Sequence, residues 1–320
     1  MNDTNKIEGK QVLVGVISEL LGSLVIVLQH AFAIFLISKC RIVQNSIKIL
    51  VTNLCIIDII AGVWGCIRAL FRLGSTDEEM NCRMDILFTT CIFNVSAFLV
   101  SAIAIDRYIS VFFPMKYIQH VTKHALTLVC WILWSIGALI SFTTMFMEFT
   151  YTEKGCELRM SQKEIYPWFL IFLRVICISV MAFSYTSIYV KIISLEKIYS
   201  SGMKHGELRP IIKILLIVAP HLVLHVLYII LFLLKPFIKQ TSTRALTIQS
   251  IFTTAVMFLD SIIYVFRFKE CRLNVSIYLC YCRKKFKDAQ IQKRTLMYGT
   301  FLNTEKNTYS TENLNNDVVL

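Results

Sequence analysis

Apolar residues in this chain run almost unbroken for roughly 20 positions at a time, the length a helix needs to cross the hydrocarbon core of a bilayer. Such runs fall near 12–38, 47–70, 84–112, 124–147, 166–194, 210–234 and 245–266. Short polar stretches separate them. The pattern predicts an all-α fold: a seven-transmembrane helix bundle followed by a short amphipathic cytoplasmic helix. The expected organisation is an extracellular N-terminus at 1–11, a seven-transmembrane domain at 12–268, an amphipathic juxtamembrane helix at 269–282 and a tail at 283–320. The tail is rich in Lys, Asn and Thr and is expected to be disordered. The polar start and the long first apolar run do not suit a cleaved signal peptide, so the first helix is expected to serve as the insertion signal.

Composition agrees, since 56% of the 320 residues are hydrophobic and 17% charged, too oily for a soluble domain. Lys and Arg are roughly twice as frequent in the polar segments on the side of the C-terminal tail, which sets that side as cytoplasmic and the N-terminus outside. The net charge of +12 then reflects a basic inner face meeting anionic lipid, and no nucleic-acid partner is expected. Of five prolines, Pro220 alone lies deep within a span, where it frees the carbonyl of Leu216 and bends the sixth helix. The chain shows neither internal repeats nor paired Gly or Pro interruptions of the kind many transporters carry. With no nucleophile–base signature, no phosphate loop and no metal-ligand spacing among six histidines, the chain is not expected to be an enzyme.

At the end of the third apolar run stands "AIDRYISVFFPMKY", residues 104–117. A charge at a membrane boundary is costly unless paired or solvated, and Asp106 and Arg107 can neutralise each other; on these two residues alone, a topological anchor is the plainer reading. The wider set is more telling. "NLCIID" contains Asn53, Leu54 and Asp58, Pro114 follows Arg107 by seven residues, and "DSIIYVFRFKECR" contains Asp260 and Tyr264. Together these resemble the rhodopsin-like family of G-protein-coupled receptors. The resemblance implies a switch in which Arg107, held by Asp106 at rest, swings free to meet a heterotrimeric G protein, with Tyr108, Tyr185 and Tyr264 beside it. It also implies a disulfide between Cys82 and Cys156, the two cysteines expected on the oxidising outer face. It further implies a sodium ion held by Asp58, Ser96 and Asp260, with a proton shared between the two acids as the competing explanation. Departures are plain: His30 stands where the family has Asn, Cys177 and Ser261 where it has Pro, and "APHLVLHVLY" where it has CWxP.

The ligand is constrained mostly by exclusion. Thr89 replaces the acid of amine receptors, and no Lys lies between Arg244 and Arg267 to hold retinal. Candidate pocket residues are Arg68, Thr89, Arg174, Tyr228 and Gln249; the two buried arginines suit an anionic ligand held bidentately. Alternatively Arg68 pairs with Glu19, and Arg174 meets carbonyls of another helix. Asn2 begins an outer glycosylation sequon, Cys280 and Cys282 are candidate palmitoylation sites, and Val318 and Leu320 form a candidate PDZ ligand. Phosphorylation at Thr304, Thr308, Ser310 and Thr311 would recruit arrestin. The resulting expectation is a receptor in the plasma membrane; the rivals are a seven-span transporter or channel and a non-signalling decoy receptor.

Overall fold

The computed structural model describes residues 2–74, 78–146, 149–152, 155–158, 165–199, 222–230 except 228, 253–265 except 264, 268–279, and 288–298 except 297. Five of its helices are long and apolar enough to cross a membrane: α1 (Asn2–Ser38), α2 (Asn45–Gly74), α3 (Glu78–Phe112), α5 (Lys123–Phe142) and α6 (Ile165–Tyr199). Their apolar stretches, Leu13–Ser38, Asn45–Phe71, Met80–Phe112, Lys123–Phe142 and Trp168–Lys191, lie close to the first five expected spans. Of the sixth expected span the described part is a helical stretch at 222–227, here α7, and of the seventh it is α8 (Thr253–Ile263). Large apolar side chains such as Leu28, Leu128, Trp131 and Leu139 stand exposed along these helices. So much apolar surface on a folded chain marks the face that meets lipid.

α3 is the axis of the assembly, in contact with α2, α5, α6 and the short α4 (Pro114–His120). Its inward residues Val95, Leu99 and Val100 are completely buried beside Leu54 of α2 and Met181 of α6. Between apolar helices in lipid there is little hydrophobic drive, so close backbone approach matters. α1 and α2 achieve it at Gly62, where a Cβ would sit 2.7 Å from Val27 Cγ2 and 2.9 Å from the Ser23 carbonyl oxygen. α5 is tied to α2 by the Trp134 indole N–H, which donates to Asn53 Oδ1 at 3.2 Å. Thr122 caps the start of α5 by accepting from the Ala125 amide at 3.2 Å.

The structure departs from the expected fold in three places. Helix α1 starts at Asn2, ten residues ahead of the apolar run, because Lys6, Glu8, Lys10 and Gln11 favour helix and no proline intervenes. The segment between α5 and α6 is not helical throughout. Phe149–Thr152 (β1) and Gly155–Leu158 (β2) pair as an antiparallel hairpin with Tyr151 opposite Cys156. Outside the apolar layer, a connecting chain of β-branched and aromatic residues satisfies its peptide groups by strand pairing. The tail expected to be disordered from 283 is helical at 288–296, here α10. Contacts hold it to the preceding helix α9 (Lys269–Leu279): Arg294 donates to Asn274 Oδ1 at 3.0 Å, and Tyr298 donates to Glu270 Oε1 at 2.5 Å.

α9 in turn closes the turn after α1. Glu270, almost fully buried, accepts from the backbone amides of Arg41 at 2.5 Å and Ile42 at 2.9 Å. Burial and the Glu270 carboxylate push the Tyr298 phenol up to about 12, so it remains a donor at any physiological pH. The Cys271 thiol, 2.6 Å from that of Cys40, is raised by that contact and by burial, and stays protonated.

The close approach of α1 and α2 gives a direct test. Gly62→Ala is expected to cost about 1–3 kcal/mol by overpacking, read as a lower Tm of the purified protein; an unchanged Tm would show that the two helices part without penalty.

Candidate functional site

Polar side chains inside the bundle gather at three levels. At the end of α3 that leads into α4, Arg107 and Asp106 are both buried. The Arg107 guanidinium donates through Nε to Asp106 Oδ2 at 2.8 Å, and its Nη2 contacts the same oxygen. Nη1 donates to Gln44 Oε1 at 2.9 Å, and Nη2 lies 3.2 Å from Ser46 Oγ and 3.3 Å from the Tyr117 hydroxyl. Tyr117 closes the ring: its hydroxyl is 2.8 Å from Asp106 Oδ1 and 2.6 Å from Ser46 Oγ. Burial pushes the Tyr117 phenol above its usual value, so it keeps the proton it shares between these acceptors. Pro114 at the first turn of α4 sets the direction that returns Tyr117 to α3. Arg107 is thus bound to its own helix, the start of α2 and α4 at once.

Near this network Tyr108 stacks on Phe112 with ring centres 4.5 Å apart and tilts against Phe183 of α6. Tyr185, also on α6, is buried. Lys191 donates to the Val111 carbonyl at 2.8 Å and lies over the Phe112 ring, joining α6 to α3 at the same level. Tyr264 lies outside the described residues.

Midway along the bundle is a second level. His30 of α1 is fully buried, with Nδ1 2.9 Å from the Ile26 carbonyl oxygen and Nε2 3.1 Å from Asp58 Oδ2. Asp58, Ser96 and Asp260 line one cavity of about 20 Å³ together with His225 and Thr253. The three residues expected at a sodium or proton site therefore do come together. Behind His225 lies Arg174, which donates to the Phe93 carbonyl at 3.0 Å, to Asn94 Oδ1 at 2.9 Å and to His225 Nδ1 at 3.2 Å. Its expected alternative, a partner carbonyl on another helix, is the arrangement found.

The third level is an open cavity of about 510 Å³ toward the Cys82 end of α3, walled by α1, α2, α3 and α8. Arg68 projects into it and donates through Nε to Glu19 Oε1 at 2.6 Å, with Nη2 2.5 Å from the same oxygen. Its Nη1 lies 3.4 Å from Asp85 Oδ1, which also accepts from the Trp64 indole at 3.0 Å. Thr89 lines this cavity and Arg174 does not. Arg68 is thus already matched by carboxylates, as the alternative pairing with Glu19 anticipated. Among the described residues no hydrogen bond reaches the second oxygen of Asp85.

Cys82 is disulfide-bonded, and the hairpin carrying Cys156 contacts α3; the Cys156 side chain lies outside the described residues. Asn2 is within α1, its side chain likewise outside them, as are Tyr228, Gln249, Cys280, Cys282, Val318 and Leu320. Sequence reasoning missed Gln44, Ser46, Tyr117, Trp64, Asp85 and His225. Asp85 carried one usable signal, since it precedes Thr89 by four residues and so shares its helix face. Gln44 and Ser46 carried none, because no sequence periodicity links a turn after α1 to the end of α3.

A family model described as the 7 transmembrane receptor (rhodopsin family) matches residues 30–264. That is most of the chain, and the protein belongs to this family. No curated protein matches it. The match covers the mid-bundle level and the Arg107 network and starts at His30, one of the residues that depart from the family pattern.

The Arg68 cluster predicts non-additive stability. Arg68→Ala alone takes the guanidinium away from two carboxylates. Arg68→Ala with Glu19→Gln is expected to recover about 1 kcal/mol of the loss, read from Tm values in a double-mutant cycle; strict additivity would mean that the pair contributes nothing.

Proposed function

We propose that this chain is a G-protein-coupled receptor that spans the plasma membrane seven times, with its N-terminus and the Cys82 end of α3 outside. The observation that carries the reading is the buried network around Arg107. A guanidinium bound by its neighbouring carboxylate, by Gln44 and Ser46 at the start of α2, and by Tyr117 is a restrained switch. It is placed where an inner partner would meet the bundle, and releasing it gives a heterotrimeric G protein a cationic contact. Signalling is then a shift of population between restrained and released states. In this reading α9 lies along the inner membrane surface, Cys82 pairs with Cys156, and arrestin and a PDZ-domain protein meet the tail. A transporter or channel has less support. Leu54, Leu99 and Val100, fully buried, put apolar packing between the mid-bundle level and the Arg107 network.

The ligand belongs in the cavity at the Cys82 end, whose 510 Å³ is ample for a small molecule or a side chain of a larger one. Two carboxylates there face one guanidinium, and Asp85 offers an open oxygen beside the Trp64 ring. This favours a cationic group over the anion that two free arginines would have suited. Phenethylamine is expected to raise the Tm of the purified receptor and its carboxylate analogue 3-phenylpropanoate to leave it unchanged, with Asp85→Asn abolishing the difference. A rise with the carboxylate alone reverses the charge assignment.

Basal nucleotide exchange on a panel of Gα subtypes, at matched surface expression, tests the switch. Arg107→Ala is expected to abolish exchange. Tyr117→Phe removes a hydrogen bond to charged partners, typically about 1.5–3 kcal/mol, and is expected to raise exchange about tenfold where the restrained state feels most of that loss. Exchange that is indifferent to both substitutions refutes the reading.

A further inference from the structure

A further cavity backs onto the Arg107 network from the lipid side. It is a groove of about 450 Å³ between α3, α5 and α6, lined by Tyr117, His120 and Val121 where α4 meets α5. Ile105, Val129 and Ile176 also line it; Ile105 and Ile176 stand exposed on α3 and α6, and Val129 on α5. The groove therefore opens on the surface that meets lipid.

Its polar groups are engaged within the protein. Ser101 Oγ donates to the Ala97 carbonyl at 2.8 Å on its own helix, and Asp106 and Tyr117 bond each other at 2.8 Å in the Arg107 network. The rest of the wall is mostly hydrocarbon, from residues such as Phe98, Leu126, Leu133, Leu173 and Val180. A water there would find few partners, so the space suits an apolar occupant. On α3 the lining runs from Phe98 to Ile109, a rise of about 16 Å. That is roughly half the hydrocarbon core of a bilayer, the depth of one leaflet.

At the junction of α4 and α5 the surroundings turn basic. Lys116, His120, Lys123 and His124 are all exposed there, and His120 Nδ1 donates to the Lys116 carbonyl at 3.1 Å. The sequence has no acidic residue between Asp106 and Glu148, and Asp106 is buried against Arg107. The start of α5 adds the positive end of its helix. Basic pockets between spans on the cytoplasmic side suit anionic lipid headgroups.

We propose that this groove binds one anionic phospholipid of the inner leaflet, phosphatidylserine, with an acyl chain between α3, α5 and α6 and its headgroup at Lys116 and Lys123. Naming the inner leaflet rests on the receptor orientation given above; the groove and its charge do not. A neutral phospholipid fills the apolar walls but brings the two lysines no net charge, and a soluble anion meets the lysines but leaves the walls bare. Tyr117 lines the groove and bonds Asp106, so the seated chain packs against a member of the Arg107 network.

The test uses the full-length receptor, delipidated in detergent, with bound lipid counted by native mass spectrometry as phosphatidylserine or phosphatidylcholine is added. This readout needs no G protein, so its failure is distinguishable from failure of the coupling experiment. One saturable phosphatidylserine adduct is expected, held about tenfold more tightly than phosphatidylcholine, the order of effect of two lysines near an anionic headgroup. Lys116→Gln with Lys123→Gln is expected to bring phosphatidylserine down to the level of phosphatidylcholine. Ala125→Trp, which fills the groove from an exposed position in the first turn of α5, is expected to remove the saturable adduct of both lipids. Adducts that never saturate, or that show no preference for phosphatidylserine, mean unselective surrounding lipid and overturn the proposal. Phosphatidylserine binding that Ala125→Trp leaves intact overturns it too, by placing the lipid on the basic surface without the groove. Should Ala125→Trp fail to fold, dihexanoyl phosphatidylserine decides in the parent. It has the headgroup but chains too short to fill the groove, and is expected to bind more than about tenfold more weakly than the long-chain lipid; equal binding overturns the proposal.

Discussion

Inside a bilayer a charged or polar group has no water to turn to, and this constraint orders the rest of the molecule. Each such group must find its partner on another part of the chain. Glu19 and Arg68 join α1 to α2, and His30 and Asp58 join the same two helices further along. Arg107 joins α3 to the start of α2, and Arg174 joins α6 to α3. The apolar contacts that surround these bonds are not selective, because a leucine is as content against lipid as against another helix. The polar pairs and the close passage at Gly62 therefore fix which helix lies against which, and at what rotation.

The same constraint explains how the bundle tolerates its departures from the family pattern. The sixth and seventh helices lack the usual proline elements, and the family's Asn on the first helix is a histidine. Two of the departures meet polar partners: His30 lies against Asp58, and His225 against Arg174. Arg174, a costly residue for the fifth span, is held by the Phe93 carbonyl, Asn94 and His225.

Much of this was legible in the sequence. Unbroken apolar runs located the membrane-crossing stretches of the five long helices to within about five residues, since span length is set by membrane thickness and not by subtle propensity. The pairings of Asp106 with Arg107 and of Arg68 with Glu19 were legible because few charges occur in the spans and each needs an opposite. Gln44, Ser46 and Tyr117 were not, since their meeting at Arg107 depends on how the turn after α1 and the short α4 fold back. The hairpin and α10 were missed for a related reason. Both lie outside the apolar layer, where periodicity is weak and tertiary contacts such as those of Arg294 and Tyr298 decide the outcome.

The cap that Glu270 places on the turn after α1 has a consequence for the life history of the chain. Arg41 and its acceptor are 229 residues apart. At a synthesis rate of 5–20 residues per second, the ribosome adds Glu270 roughly 10–50 s after the turn has been made. For that interval the first hairpin of helices must sit in the membrane with two amides uncapped. The final fastening of the earliest helix is thus among the last events of biogenesis, and a ribosome that stalls before α9 leaves behind a bundle whose first turn is still open.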